Sequence, residues 1–241
     1  MKETLLAVPG DAHQLWPQFM FTFRYRDFDF DQKKILDCVN ECVSKQTKDV
    51  ESGVAPQAKS KGLKESTFDF IERGDEYPIL NKLKMFFEQA VQEVVHHALP
   101  HEREEFRLPL GLTTSTVITD SWYHVTNGGG AHAVHTHGGS SWSGIFYVKS
   151  RYCDMDTNNG INTWYNQYAN TAQADLGSHW WSGSNVTSVP PKEGMLVLFP
   201  SWIPHDGSAY SGPEDRVLIS FNAIVVPSED AERMKKRNES K

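Results

Sequence analysis

The longest run of regularly spaced apolar residues extends from Tyr77 to the region of Pro100. Its apolar positions lie three or four residues apart over about five turns, which places them on one face of a helix. These positions are Ile79, Leu80, Leu83, Phe86, Phe87, Ala90, Val91, Val94, Val95 and Ala98. The sequence therefore predicts one long amphipathic helix that ends near the proline.

The region before this helix has a weaker pattern. Apolar residues alternate over residues 18–30 and predict a strand. A helical pattern follows over Ile35–Cys42, and Asp29 or Asp31 is suited to cap that helix. Residues 45–66 are rich in Lys, Ser, Gly and Gln, and we interpret them as an exposed loop.

From residue 109 onward the pattern changes from helical to strand-like. The strand-like segments, rich in β-branched and apolar residues, are Leu112–Val125, Ser143–Val148, Gly194–Phe199 and Arg216–Val226. Helices followed by strands indicate a β-sandwich or barrel that N-terminal helices support. We predict that residues 1–108 form one domain together with 109–227, and that residues 228–241 form a charged C-terminal tail.

A polar, asparagine-rich insertion interrupts the strands at about residues 152–188. It carries several aromatic residues, namely Trp164, Tyr165, Tyr168, Trp180 and Trp181. The insertion is too long for a hairpin turn, so we expect it to fold over one end of the barrel. It is equally compatible with a lid that contacts substrate and with a hydrophobic plug that does not.

Composition excludes several classes of protein. The net charge is −7 and no long basic run is present, which argues against nucleic acid as a partner. No stretch approaches the length of a membrane span, and the N-terminus lacks the apolar core of a signal peptide. Three cysteines do not make a disulfide framework. These features predict a soluble cytoplasmic protein.

Three histidines lie within six positions of a glycine-rich stretch that leads into the Ser143–Val148 strand. They are His132, His135 and His137. Residues two apart in an extended backbone point to the same side, so His135 and His137 project together. Two converging neutral imidazoles form half of a metal site. The pair alone is more typical of two surface histidines beside a loop.

The second half of the candidate site follows a Pro-x-x-Gly turn at Pro191–Gly194. An apolar strand runs from this turn to Phe199, and His205 follows beyond its far end. Arg216 opens the next strand. A third imidazole completes a facial set of three ligands on an octahedral ion. Arginine on a neighbouring strand suits a carboxylate co-substrate, because its planar fork matches the two carboxylate oxygens.

The order of these motifs resembles the 2-oxoglutarate/Fe(II)-dependent oxygenases. The resemblance rests on His135-Thr136-His137 before a Ser-Gly-aromatic strand, then Pro-x-x-Gly, Phe-Pro-Ser-Trp, His205, Arg216 and Ser-Phe-Asn. It extends over about residues 110–226 and is nearest to a group of small bacterial and phage oxygenases related to prolyl hydroxylases. It implies an α+β, mainly β fold, in which a double-stranded β-helix, or jelly roll, holds iron at its open end.

The resemblance also implies roles for individual residues. His135 takes the position of the first metal histidine, His205 that of the distal one, and Arg216 that of the group binding the far carboxylate of 2-oxoglutarate. His137 stands where the wider superfamily has Asp or Glu, which leaves open whether it or an aspartate ligates. The nearest aspartates in sequence are Asp154, Asp156 and Asp206. A neutral third ligand leaves the site one charge more positive.

Three further residues are candidates for binding the co-substrate. Tyr123 and Asn127 lead into the metal strand, where the resemblance places co-substrate contacts. Tyr147 shares a strand face with Ser143 and Ile145, and this face is expected to point into the barrel. His132 is expected either behind the metal ligands or in contact with substrate.

The predicted function is an Fe(II)- and 2-oxoglutarate-dependent oxygenase. It would oxidise, most simply hydroxylate, a C–H bond of a small polar molecule or a peptide side chain, with release of succinate and CO2. One alternative is a cupin-like three-histidine dioxygenase that does not use 2-oxoglutarate, in which Arg216 has no role. The other is a non-enzymatic jelly roll that binds its ligand on tryptophan side chains.

Overall fold

The computed structural model describes residues 19–51, 62–98, 113–166 and 186–239. The helices within these ranges are α1 (Phe28–Glu51), α2 (Pro78–Ala98) and α3 (Ser228–Glu239), with a 3-10 segment at Phe70–Asp75. The strands are β1 (Phe21–Arg24), β2 (Leu63–Glu65), β3 (Thr114–Thr126), β4 (Gly130–His135), β5 (Trp142–Lys149), β6 (Asn162–Tyr165), β7 (Val186–Ser188), β8 (Met195–Pro200), β9 (His205–Tyr210) and β10 (Arg216–Pro227).

The strands form two antiparallel sheets. The larger sheet has the order β1-β8-β5-β10-β3-β2, and the smaller has the order β4-β9-β6-β7. Strands β3 and β10 pair from Arg216 opposite Thr126 to Pro227 opposite Thr114, with one irregularity after Asn222. A cavity lined by strands of both sheets lies between them. The two-layer β architecture predicted from the strand pattern is therefore present.

Helices α1 and α2 cover the outer face of the larger sheet. The apolar stripe of α2 contributes its most deeply buried side chains, Leu80, Leu83, Phe87, Val91 and Val94. The ring of Phe87 stacks on Phe221 of β10, with centroids 4.5 Å apart and planes 17° apart. Burial of a side chain of this size is worth about 1.5–3 kcal/mol. The long helix predicted from apolar spacing is confirmed.

The inner face of the larger sheet carries a smaller apolar cluster. It contains Ile145 and Tyr147 of β5, Phe199 of β8 and Leu218 of β10. Trp164 of β6 packs on Phe199 from the opposite sheet, with ring centroids 5.4 Å apart. This aromatic residue of the predicted insertion therefore belongs to the core, whereas Tyr168, Trp180 and Trp181 lie outside the described residues.

The N-terminal region differs from the prediction in two places. Strand β1 ends at Arg24 and α1 begins at Phe28, so the strand predicted over 18–30 is too long. Asp31 in the first turn of α1 accepts a hydrogen bond from the Tyr25 hydroxyl, which fixes the start of the helix. Helix α1 also continues to Glu51, into the predicted loop, because Lys, Gln and Glu are good helix formers.

The smaller sheet was not predicted by the apolar pattern. Strand β4 reads Gly-Ala-His-Ala-Val-His and β9 reads His-Asp-Gly-Ser-Ala-Tyr, so neither alternates between apolar and polar residues. Toward the cavity these strands present histidines, His132, His135 and His205, which removes the signal that a buried apolar face provides.

The charged C-terminal residues form helix α3, Ser228–Glu239. Two acidic residues, Glu229 and Asp230, lie in its first turn, where the helix dipole favours negative charge. Among the described helices, none is both long and apolar enough to cross a membrane.

Candidate metal centre

The cavity between the two sheets has a volume of about 510 Å³. Ile145, Phe199 and Leu218 form an apolar part of its wall. Its polar lining residues include His132, His135, His137, His205, Asn162 and Arg216. A cavity of this size, with few polar groups on an apolar wall, is typical of a small-molecule site.

The structure brings His135, His137 and His205 together at this cavity. One ring nitrogen from each lies within 4.8 Å of those of the other two. The ring centroids are 5.0 Å apart for His135 and His137, and 4.4 Å apart for His135 and His205. His135 and His205 meet because β4 and β9 pair with these two residues directly opposite each other.

Hydrogen bonds to the backbone orient two of the three imidazoles. Nδ1 of His135 lies 2.7 Å from the carbonyl oxygen of Ala133, and Nδ1 of His205 lies 3.0 Å from that of Ile203. A carbonyl oxygen only accepts, so each Nδ1 carries the proton and each Nε2 keeps its lone pair. Metal-bound histidines are held in the correct tautomer by such contacts.

The environment also favours the neutral form of His137 and His205. Burial, and then the neighbouring His135, lowers the pKa of His137 to about 4. Burial is likewise the main cause that lowers the pKa of His205 to about 4. Neutral imidazole is the form that binds transition metals, so the three side chains fit a divalent ion such as Fe(II).

No aspartate joins this group of three histidines within the described residues. Asp154 accepts hydrogen bonds from Asp156 and Thr157 in a tight turn. Asp206 accepts a hydrogen bond from the Tyr165 hydroxyl at 2.7 Å through one carboxylate oxygen. The geometry therefore favours His137 over the three aspartates considered from the sequence.

Arg216 is buried at the same cavity, with 3% of its surface exposed. Its Nη2 donates to the side-chain oxygen of Asn162 at 2.6 Å. Its Nε is buried without a hydrogen-bond partner among the described residues, and no salt bridge to Arg216 is found among them. A buried guanidinium is costly unless an anion pairs with it, so this position is suited to a ligand carboxylate.

Tyr147 lies on the inward face of β5, as the sequence predicts, but it is fully buried in the inner apolar cluster and does not itself line the cavity. Its hydroxyl donates to the same Asn162 oxygen at 3.0 Å. Burial raises the pKa of Tyr147, so its hydroxyl remains a donor. Sequence reasoning missed Asn162, because a lone asparagine in a polar segment gives no signal. Its position depends on β6 pairing with β9, which sets Asn162 opposite Gly207.

Two predicted co-substrate contacts are not at the cavity. Tyr123 points to the helix side of β3, where its hydroxyl donates to Gln46 at 2.8 Å. Asn127 holds a turn, since its amide donates to the Gly212 carbonyl oxygen and to Asp215. The two predictions are therefore wrong. The residues of β3 that face the cavity are Trp122 and His124, the neighbours of Tyr123, because adjacent residues of a strand point to opposite faces.

The chain was compared with known proteins. Residues 120–222 match a family model described as "Putative 2OG-Fe(II) oxygenase". No curated protein matches. The matched range contains His135, His137, His205 and Arg216.

Among solved structures, the carbocyclase SnoK from nogalamycin biosynthesis, described as non-haem and alpha-ketoglutarate-dependent, is similar with a TM-score of 0.55 at 10% identity. The similarity covers 86% of this chain and 79% of that one. A prolyl hydroxylase from Trichoplax adhaerens has a TM-score of 0.43 and 17% identity, over 78% of both chains. A 2OG-Fe(II) oxygenase family protein from Burkholderia pseudomallei has a TM-score of 0.35 and 11% identity. The similarity covers 47% of this chain, and this chain spans 47% of the length of that protein.

These comparisons confirm the resemblance seen in the sequence. The likeness to the carbocyclase shows the fold, a jelly roll with supporting helices. The family match over residues 120–222 supports an enzyme of the 2-oxoglutarate/Fe(II) oxygenase class, which uses Fe(II) and 2-oxoglutarate. It favours this class over the cupin-like and the non-enzymatic alternatives.

Proposed function

We propose that this oxygenase of the 2-oxoglutarate/Fe(II) class hydroxylates a C–H bond of a small polar molecule or a peptide side chain, with release of succinate and CO2. In this proposal His135, His137 and His205 hold the iron, and Arg216 binds the far carboxylate of 2-oxoglutarate. The observation that carries it is a buried arginine, without a carboxylate partner among the described residues, in the same cavity as three converging imidazoles.

The chain's own groups have distinct tasks in this proposal. The lone pairs of His135 and His205 on Nε2 face the ion, because Nδ1 of each is engaged with a carbonyl oxygen. Nε and Nη2 of Arg216 supply two donors to a carboxylate, and the Tyr147 hydroxyl lies beside them through their shared contact with Asn162. Together they orient the co-substrate.

When bound, Fe(II) with 2-oxoglutarate and oxygen supplies the oxidising power for the C–H bond. The protein excludes water from this chemistry with the apolar wall of Ile145, Phe199 and Leu218, each 5% exposed or less. Access for substrate remains at the rim, where Phe68 and Val134 line the cavity and are 52% and 55% exposed. Exposed apolar side chains around a polar site suit a substrate that is partly apolar, as a peptide side chain is.

The proposal is tested by measuring succinate formation by the purified protein with Fe(II), 2-oxoglutarate and oxygen. We expect succinate to form slowly even without substrate, and His205→Ala to reduce it about 1000-fold or more, since one ligand of three is lost. Omission of Fe(II) provides the matched control for the unmodified protein. Absence of both succinate formation and 2-oxoglutarate binding would overturn the proposal.

The substrate class is tested separately by mass spectrometry. A peptide library and a small-molecule extract are incubated with the active enzyme, and products heavier by one oxygen atom are sought. A gain of one oxygen atom in either pool, dependent on 2-oxoglutarate, supports hydroxylation. A product formed with loss of two hydrogens and no gain of oxygen contradicts it.

A further inference from the structure

A second group of metal-ligating side chains lies beside the first and is not used by the proposed reaction. It consists of Glu65 on β2, His124 on β3 and His132 on β4, and all three line the cavity. Their candidate ligand atoms lie within 4.8 Å of one another. The Glu65 carboxylate is 2.9 Å from Nε2 of His124 and 3.9 Å from Nε2 of His132.

The fold holds these residues together by strand pairing. Glu65 lies directly opposite His124 in the antiparallel pair of β2 and β3. The approach of β2 depends on two glycines, because a Cβ on Gly62 would collide with the backbone at Asn127 and one on Gly130 would collide with Gly62. Gly62 also has a φ of +87°, which favours glycine. This close backbone contact places the Glu65 carboxylate at the cavity.

One ring nitrogen of this group is available to an ion. Nε2 of His132 is buried without a hydrogen-bond partner among the residues described. An unsatisfied buried nitrogen is costly, and an ion between it and Glu65 would satisfy it.

We propose that Glu65, His124 and His132 bind a second divalent transition-metal ion with the preferences of Zn²⁺. Two imidazoles and one carboxylate are a common ligand set for Zn²⁺. Ligand atoms about 2.0–2.2 Å from a tetrahedral ion lie about 3.3 Å from one another, so the present separations need only small side-chain shifts. The negative charge of Glu65, 2.9 Å from His124 and 3.9 Å from His132, favours a cation at this group.

The second ion is separate from the first. The two ligand sets share no residue, and the rings of His132 and His135 are 6.1 Å apart. Bridged two-metal centres hold their ions at about 3.5–4 Å and share ligands, which this arrangement does not provide. The ion ties the short β2, which precedes the family-matched range, to β3 and β4 of the barrel. Three protein ligands leave one coordination position facing the cavity.

The experiment is metal stoichiometry by equilibrium dialysis of the metal-free protein against Zn²⁺, followed by elemental analysis. We expect two ions per chain in the unmodified protein. Glu65→Gln, which conserves shape, and His132→Ala should each retain one. His205→Ala removes a ligand of the proposed iron site, and this variant should also retain one ion. The double variant Glu65→Gln/His205→Ala should retain none.

Other stoichiometries overturn the proposal. One ion in the unmodified protein that is kept in Glu65→Gln and lost in His205→Ala means that Glu65 and His124 form only a hydrogen-bonded pair. Two ions that persist in both Glu65→Gln and His132→Ala place the second ion elsewhere. Circular dichroism of each variant checks its fold. If instead the proposed iron site does not bind a metal, the unmodified protein should hold one ion, and Glu65→Gln should lose it. This outcome distinguishes failure of the proposed function from failure of the second site.

Discussion

The protein buries one charge on each side of the larger sheet, and the two charges differ in their bonding partners. On the helix side, Asp31 is 1% exposed and is bonded by the Tyr25 hydroxyl and by the ammonium groups of Lys34 and Lys82. On the cavity side, Arg216 is 3% exposed and contacts a neutral amide, with no carboxylate partner in the described part of the chain. Both charges are costly to bury, but only the first is compensated within the protein.

The same contrast extends to the residues around these charges. The helix side is filled by close aromatic contacts, such as Phe87 on Phe221. The cavity side contains buried polar atoms without partners among the described residues, at His132, Asp206 and Arg216. Unsatisfied buried groups reduce stability, and they persist where a ligand satisfies them. We infer that the helix face contributes most of the stability and the cavity face most of the binding.

The variant Phe87→Ala should have the largest effect, and it tests whether the helix side contributes stability rather than binding. Truncation of a fully buried phenylalanine costs about 3–5 kcal/mol, so the free energy of unfolding should fall by this amount. Urea unfolding measures it, and Met85→Ala, at a 59% exposed position of α2, is the matched control. The KM for 2-oxoglutarate should not change below the unfolding transition. A raised KM would show that the two faces are coupled.

Arg216→Ala tests the cavity side. Loss of the donor that pairs with a buried carboxylate costs about 2–5 kcal/mol, so the KM for 2-oxoglutarate should rise about 100-fold. Steady-state succinate formation measures it. Arg233→Ala, on exposed α3, is the control. The free energy of unfolding should fall far less than in Phe87→Ala, because a charge without a protein partner is removed. An unchanged KM would show that Arg216 does not bind the co-substrate carboxylate.

Asp31 gives the helix side a defined pH dependence. Burial alone would raise the pKa of Asp31, but the bonds from Lys34, Lys82 and Tyr25 outweigh it and lower the pKa to about 2. The folded value is below the unfolded value of 3.8, so the carboxylate stabilises the protein above about pH 4. This stabilisation is lost as the pH falls from about 4 to 2.

We therefore expect Asp31→Asn to lower the free energy of unfolding by about 1–2 kcal/mol at pH 7, a modest value because both lysines are more than half exposed. The difference should vanish near pH 2. Urea unfolding at several pH values measures it, with the exposed Asp37→Asn as the control. A difference that is constant over this range would mean that the charge of Asp31 is not the cause.

The smallest expected effect is that of His137→Asp. An added negative charge at the ion should weaken binding of dianionic 2-oxoglutarate and raise its KM about 3- to 10-fold. The iron should remain bound, since carboxylate is also a good ligand for Fe(II). Calorimetric binding of the metal and of 2-oxoglutarate measures both. Unchanged constants for both ligands would show that His137 does not ligate.

Much of the fold followed from local pattern. Helix α2 and the longer strands β3, β5, β8 and β10 have apolar positions at the spacing their structure requires, because each buries an apolar face. Strands β4 and β9 carry histidines toward the cavity and lack that signal. Helix α1 is longer than predicted, because its polar C-terminal residues have no apolar spacing from which a helix could be recognised.

The side on which a residue lies was harder to predict. Tyr123 and His124 are adjacent in β3, yet one contacts Gln46 in the helical layer and the other contacts Glu65 at the cavity. In a strand, a change of one residue exchanges the two faces. The motifs alone did not say which of the two pointed inward, and the sequence prediction for Tyr123 was wrong for this reason.

The sequence by itself determined the chemistry that is available: a His-x-His pair, a distal histidine and an arginine, in an order that marks an oxygenase of this class. Tertiary structure decided what surrounds them. Asn162 reaches Arg216 from 54 positions away, and Glu65 reaches His124 from 59 positions away. Such contacts depend on the register between strands distant in the chain. That register is set by the packing of both sheets together, which no local pattern contains.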